Sequence, residues 1–79
     1  MDGVIADRLT QTFRSVFRNP TLELKPTTTA NDVRGWDSLM HVNLIVAIER
    51  EFRIRFTTAE IMSLKNVGEL ADLIARKLG

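Results

Sequence analysis

The chain has 79 residues and a net charge of +1 at neutral pH, from 11 lysines and arginines against 10 acidic residues. That length holds one domain, residues 1–79, with a modest core, and the even charge gives no bulk attraction to nucleic acid. Cysteine is absent and the longest apolar stretch, Val42 to Ile48, is short and broken by Asn43, so disulfides, zinc–thiolate sites, thiol nucleophiles and a membrane span are excluded.

In chain order, Ile5, Leu9, Phe13 and Phe17 recur at i, i+4, i+8 and i+12 with Val16 beside them, which predicts an amphipathic helix from about Gly3 to Phe17. Asn19-Pro20 stops it, because proline lacks a donor and restricts the residue before it. A long connection follows from about Arg18 to Asp37, with Pro20, Pro26, Gly35 and a threonine run. A loop of that length must be pinned by its own apolar residues, here Leu22, Leu24 and Val33, with a short turn near Ala30 to Val33. Val42, Leu44, Ile45, Ile48 and Phe52 then mark the core side of a second helix, Ser38 to Arg53, with Asp37 as its N-cap.

Ile54-Arg55-Phe56 is expected to be extended. Thr57 or Thr58 caps a short third helix with Glu60 near its start, and Ile61 and Leu64 form its buried side. Asn66 caps the last helix, whose core face is Val67, Leu70, Ala71, Ile74 and Leu78. Gly68 weakens that helix slightly, and Arg76 and Lys77 suit the negative end of its dipole. The expected fold is all-α: a bundle of three main helices plus one short helix, with a long loop between helices one and two.

The loop ends in Gly35-Trp36-Asp37-Ser38-Leu39. Asp-Ser-Leu at the start of a second helix, after a long loop and before two further helices, resembles the acyl carrier proteins. The resemblance runs through the segment from Trp36 to Glu49 and follows the order of elements over the whole chain. It implies 4'-phosphopantetheine joined to Ser38, with Asp37 and Leu39 as the other motif residues. A phosphodiester there gains from free amides and the positive end of the helix dipole.

The resemblance also implies a phosphopantetheinyl transferase drawing on coenzyme A and Mg²⁺, an acyl-loading ligase or synthase, and acyltransferases. The chain itself is then a non-catalytic carrier of thioesters in lipid or secondary-metabolite synthesis, and no nucleophile–base pair or phosphate loop argues otherwise. Asp37 would serve as cap and as a contact for the transferase. Trp36 would pack on the loop core, and His41 would be a solvated surface residue.

On the second helix Leu39, Asn43, Val46 and Arg50 form a further stripe, flanked by Met40 and Ala47, and apolar residues there mark a partner face. In the general fatty-acid carriers this helix is strongly acidic. Here Met40 and Asn43 stand where carboxylates are common, and Arg50, Arg53 and Arg55 offset Glu49 and Glu51. That charge pattern implies a specialised carrier with dedicated partners. Val42, Ile45, Phe56, Ile61, Leu64 and Leu70 are the candidate lining of an acyl pocket.

Met1-Asp2-Gly3 does not open a basic segment followed by an apolar run, so no signal peptide is expected. A cytoplasmic, monomeric, discrete protein is the expectation. Two other readings stand beside it. One is an aminoacyl or peptidyl carrier of a nonribosomal pathway, whose usual Gly-Gly-His-Ser surroundings differ from Gly35-Trp36-Asp37-Ser38. The other is a helical DNA-binding or protein-interaction bundle without a prosthetic group, which lacks the basic recognition helix expected of a DNA reader.

Overall fold

The first helix, α1, covers Gly3–Phe17 and buries Ile5, Leu9, Thr12 and Phe13. The structure is a computed structural model that describes residues 3–79; Met1 and Asp2, on which the N-terminal reading partly rests, lie outside the described residues. Arg18 ends α1 in the left-handed region at φ 53. The Asn19 N–H then donates back to the Arg14 carbonyl at 3.0 Å, closing the wide terminal loop that satisfies helix-end carbonyls. Proline at 20 follows the stop and does not itself make it.

The long connection is pinned as the sequence requires. Val33 is buried, and Leu22 and Leu24 pack half-buried against the core. Arg14 Nε donates to the Leu22 carbonyl at 2.7 Å, and a single 3₁₀ turn spans Ala30–Asp32. The loop also clasps the last helix. Val67 N–H donates to the Thr28 carbonyl and Gly68 N–H to the Pro26 carbonyl, both at 2.8 Å. Gly68 is required there, because a Cβ would stand 2.8 Å from the Pro26 oxygen. Its cost to helix propensity is therefore the condition of a close crossing, not a flaw.

Helix α2 covers Ser38–Phe52 and buries Leu44, Ile45, Ile48 and Phe52. It stops one residue before the expected Arg53, which adopts a left-handed cap at φ 56. Val42 was expected on the core side but is 56% exposed. It lies three residues from Ile45 and two from Leu44, and only the narrower arc of Leu44, Ile45, Ile48 and Phe52 is buried. Residues 54–57 are irregular, with Ile54 buried and Arg55 exposed.

Helix α3, Thr58–Ser63, is closed at its start by a reciprocal pair: Glu60 N–H to Thr57 Oγ1 at 3.2 Å and Thr57 N–H to Glu60 Oε1 at 2.8 Å. It contains no buried residue. Ile61 and Leu64, expected to be buried, are only half-covered, because an open cleft lies beneath them. Helix α4, Val67–Leu78, is capped by Asn66 Oδ1 accepting from Glu69 N–H at 2.8 Å. It buries Val67, Leu70, Ala71, Leu73 and Ile74, but Leu78, expected on the core face, is exposed at the last residue of the helix.

The core is one cluster built from α1, α2 and α4 around Leu9, Phe13, Leu44, Ile48, Val67 and Ile74. Among the described residues there is no strand, and no helix is long and apolar enough to cross a membrane.

Candidate functional site

A tight turn leads into α2. Trp36 N–H donates to the Val33 carbonyl at 3.2 Å, and Gly35, third in that turn, has φ 88, a region glycine enters without strain. Asp37 is extended and caps the helix, its Oδ1 accepting from Met40 N–H at 2.8 Å. The Asp37 carbonyl takes His41 N–H at 2.8 Å. The amides of Ser38 and Leu39 are left without a partner among the described residues, which is the usual state of a helix start.

Ser38 is the first helical residue, exposed, and its hydroxyl makes no hydrogen bond among the described residues. The other two serines are placed differently. Ser15 lies within α1, and Ser63 Oγ donates to the Glu60 carbonyl at 3.0 Å.

Beside Ser38 opens a cleft of about 500 Å³ between the start of α2, α3 and the N-terminal half of α4, within the range of small-molecule sites. Its walls include Trp36, Asp37, Ser38, His41, Val42 and Ile61, with Leu64 and Leu70 also lining it and the exposed Met62 at its edge. Four of the six residues expected to line an acyl pocket are there: Val42, Ile61, Leu64 and Leu70. Ile45 is instead sealed into the core at 3% exposure, and Phe56 lies under Lys77 with its ring centroid 5.6 Å from Nζ. The exposure of Val42, a departure from the helical pattern, is what gives the cleft an apolar rim.

Of the three motif residues, Asp37 and Ser38 border the cleft, whereas Leu39 points out at 70% exposure. Leu39, Asn43, Val46 and Arg50 are all exposed, and Met40 is half-exposed with its sulfur 3.7 Å from Asn43 Nδ2. Val42 adds to this face, making it more apolar than the sequence pattern suggested.

Trp36 packs as expected: its ring meets Phe13 edge to face, centroids 5.3 Å apart and planes at 78°, and lies 6.0 Å from Phe17. His41 does not behave as a solvated surface residue. It is half-buried, accepts from Trp36 Nε1 at 3.0 Å through Nδ1, and places Nε2 3.3 Å from the Ile61 carbonyl. Nothing in the local sequence signals this, because the partners come from the loop and from α3.

An exposed serine hydroxyl at a helix start, open amides around it and an apolar cleft at its side suit a phosphodiester-linked arm. The family model described as "Phosphopantetheine attachment site" matches residues 7–74. An acyl carrier protein of Acidothermus cellulolyticus is 38% identical over 56 residues, which are 71% of this chain and 67% of that protein. The solution structure of a holo acyl carrier protein from Geobacter metallireducens is 49% identical with a TM-score of 0.88, covering 94% of this chain and 85% of that one. The chain belongs to the acyl carrier protein family. Its prosthetic group is a covalently attached 4'-phosphopantetheine, and the family works with enzymes such as transferases and synthases.

Proposed function

We propose that Ser38 is the attachment residue and that the chain is a non-catalytic carrier whose acyl groups ride as thioesters on the arm joined there. The observation that carries this reading is the state of Ser38: alone among the three serines it stands at a helix start with a free hydroxyl beside an apolar cleft. A phosphopantetheinyl transferase would join Ser38 Oγ to the phosphorus of coenzyme A, with the serine proton passing to the enzyme and the nucleotide portion leaving. Once bound, the arm supplies the thiol that the cysteine-free chain lacks. Asp37 holds the helix start and offers an exposed carboxylate beside the modified hydroxyl to that transferase. The amides of Ser38 and Leu39 and the helix dipole favour the phosphodiester.

Residues 1–79 form the carrier domain, a cytoplasmic monomer in this reading. A loading ligase or synthase and acyltransferases meet it through Leu39, Met40, Asn43, Val46 and Arg50, which lie on the exposed side of α2. Both carboxylates at the end of α2 are already engaged: Glu49 Oε2 accepts from Phe56 N–H at 2.9 Å, and Glu51 pairs with Arg8 at 2.9 Å. Arg50, Arg53 and Arg55 stay exposed beside them. Such a face suits dedicated partners over enzymes built to grip an acidic helix. The cleft would shelter the part of the cargo nearest the arm.

Intact mass after incubation with coenzyme A, Mg²⁺ and a broad-specificity transferase tests the attachment. One phosphopantetheine gained by the parent and none by Ser38→Ala is the expected result. An equal gain in the variant would move the site elsewhere.

A further inference from the structure

We propose that His41 is a latch: its neutral ring, protonated on Nε2, ties Trp36 to the Ile61 carbonyl, holds α3 against the start of α2 beside Ser38, and limits how far the cleft widens for a carried chain until the tie is broken.

The tautomer follows from the partners. An indole N–H can only donate, and Trp36 Nε1 stands 3.0 Å from His41 Nδ1. Nδ1 must therefore offer its lone pair. In the neutral ring the proton then sits on Nε2, which lies 3.3 Å from the Ile61 carbonyl and donates to it. Both hydrogen bonds demand the same tautomer, so each reinforces the other. The two ring planes are 19° apart with centroids 6.0 Å apart, which leaves the indole N–H directed at the imidazole nitrogen.

One end of the latch is rigid and the other is not. Trp36 is wedged against Phe13 and Phe17 of the core. Helix α3 has six residues and buries none of them. Among the described residues, the bond from His41 to Ile61 is the one hydrogen bond between α2 and α3. Trp36, His41 and Ile61 are all cleft walls, so the latch spans the seam between the two helices next to Ser38.

Protonation breaks it. A second proton on Nδ1 would face the indole N–H donor to donor, and the Trp36 bond is lost. The ionisable groups on the same cleft are Asp37 at the α2 cap and Lys65 in the α3–α4 connection. Helix α4 and its cap contribute Leu70 and Asn66, α1 packs Phe13 and Phe17 behind Trp36, and Glu60 of α3 is held by Lys77. The effect on cargo rests on the arm being at Ser38; the latch itself does not.

The first arm of the test uses the unmodified full chain, where one tryptophan and one histidine give unambiguous signals. Nitrogen NMR at pH 8 should show the Nε2–H tautomer, and the protection factor of the indole N–H, its exchange rate referred to that of a free indole at the same pH, should fall at least tenfold once the ring takes a second proton, with helicity unchanged by circular dichroism. An Nδ1–H tautomer, or indole exchange indifferent to the ring's titration, overturns the latch.

The second arm loads octanoyl-phosphopantetheine from octanoyl-coenzyme A onto the parent and onto His41→Phe, which keeps a ring without either bond. At pH 8 the cargo should shift the Ile61 and Leu70 methyl resonances at least twofold more in the variant than in the parent, while acid should raise those shifts in the parent. Equal shifts at pH 8, or none in either protein, overturn the gating role. Absence of the octanoyl mass increment would instead refute attachment at Ser38, and the tautomer and exchange behaviour of the unmodified chain would still decide the latch.

Discussion

The two faces of α2 are built on opposite principles. Toward the interior it presents Leu44, Ile45, Ile48 and Phe52, none more than 3% exposed. Toward the outside it presents Leu39 at 70%, Val42 at 56% and Val46 at 41%. The flanking helices repeat the contrast: α4 buries five residues, and α3 buries none. Burial of apolar area holds α1, α2 and α4 together. Helix α3, closed at its own start by the capping pair, is tied to its neighbours by polar contacts: the Glu60–Lys77 ion pair at 2.9 Å and His41. The half of the molecule that bears Ser38 is thus the half with the least packing to lose on opening, as expected where binding needs movement.

The sharpest way to break the contrast is to truncate one side chain from each half. Phe13→Ala, which empties a fully buried site under Trp36, should cost about 3–5 kcal/mol in denaturant unfolding, enough to unfold much of a domain this small. Val42→Ala, on the open face, should change stability by no more than about 0.5 kcal/mol. Similar losses at both positions would mean that the cleft is packed in solution.

Gly68→Ala comes next. Helix propensity alone predicts a gain of about 1 kcal/mol. The Cβ placed 2.8 Å from the Pro26 carbonyl predicts a net loss of about 1–3 kcal/mol instead, and the sign of the change in urea midpoint decides between them. Asp37→Ala removes the cap on Met40 N–H and should cost about 1 kcal/mol, while leaving the Phe13 cluster intact by near-ultraviolet circular dichroism.

The smallest effect is electrostatic. The hydrogen bond from Lys77, and then that from the Thr57 amide, hold the Glu60 carboxyl below its ordinary value. A carboxyl lowered on folding stabilises above its unfolded pKa, and the benefit fades as pH falls through the folded one. The difference in thermal midpoint between the parent and Lys77→Met should therefore be small, present at pH 6, and vanish on acidification below the ordinary glutamate range near about 4.3. A difference independent of pH would assign the role of Lys77 to its packing over Phe56.

Local patterns were enough to read most of the framework. Helical spacing located α1, α2 and α4, and Asp37, Thr57 and Asn66 announced the caps that start α2, α3 and α4, because caps and amphipathic stripes depend on residues a few positions apart. The place of Ser38 at the start of α2 was legible for the same reason: loop, cap and helix start are consecutive in the chain.

What the tertiary structure alone decided is where one helix meets another. Periodicity cannot say how wide the covered arc is, so Val42 and Leu78 read as core and are exposed. It cannot say that a loop carbonyl crosses α4 at Gly68, although a lone glycine in a helix was a hint of close approach. Nor can it say that His41, alone on a helix surface in sequence, stands between an indole from the loop and a carbonyl twenty residues later. Those contacts join groups distant in the chain, and only the packed bundle brings them within hydrogen-bonding reach.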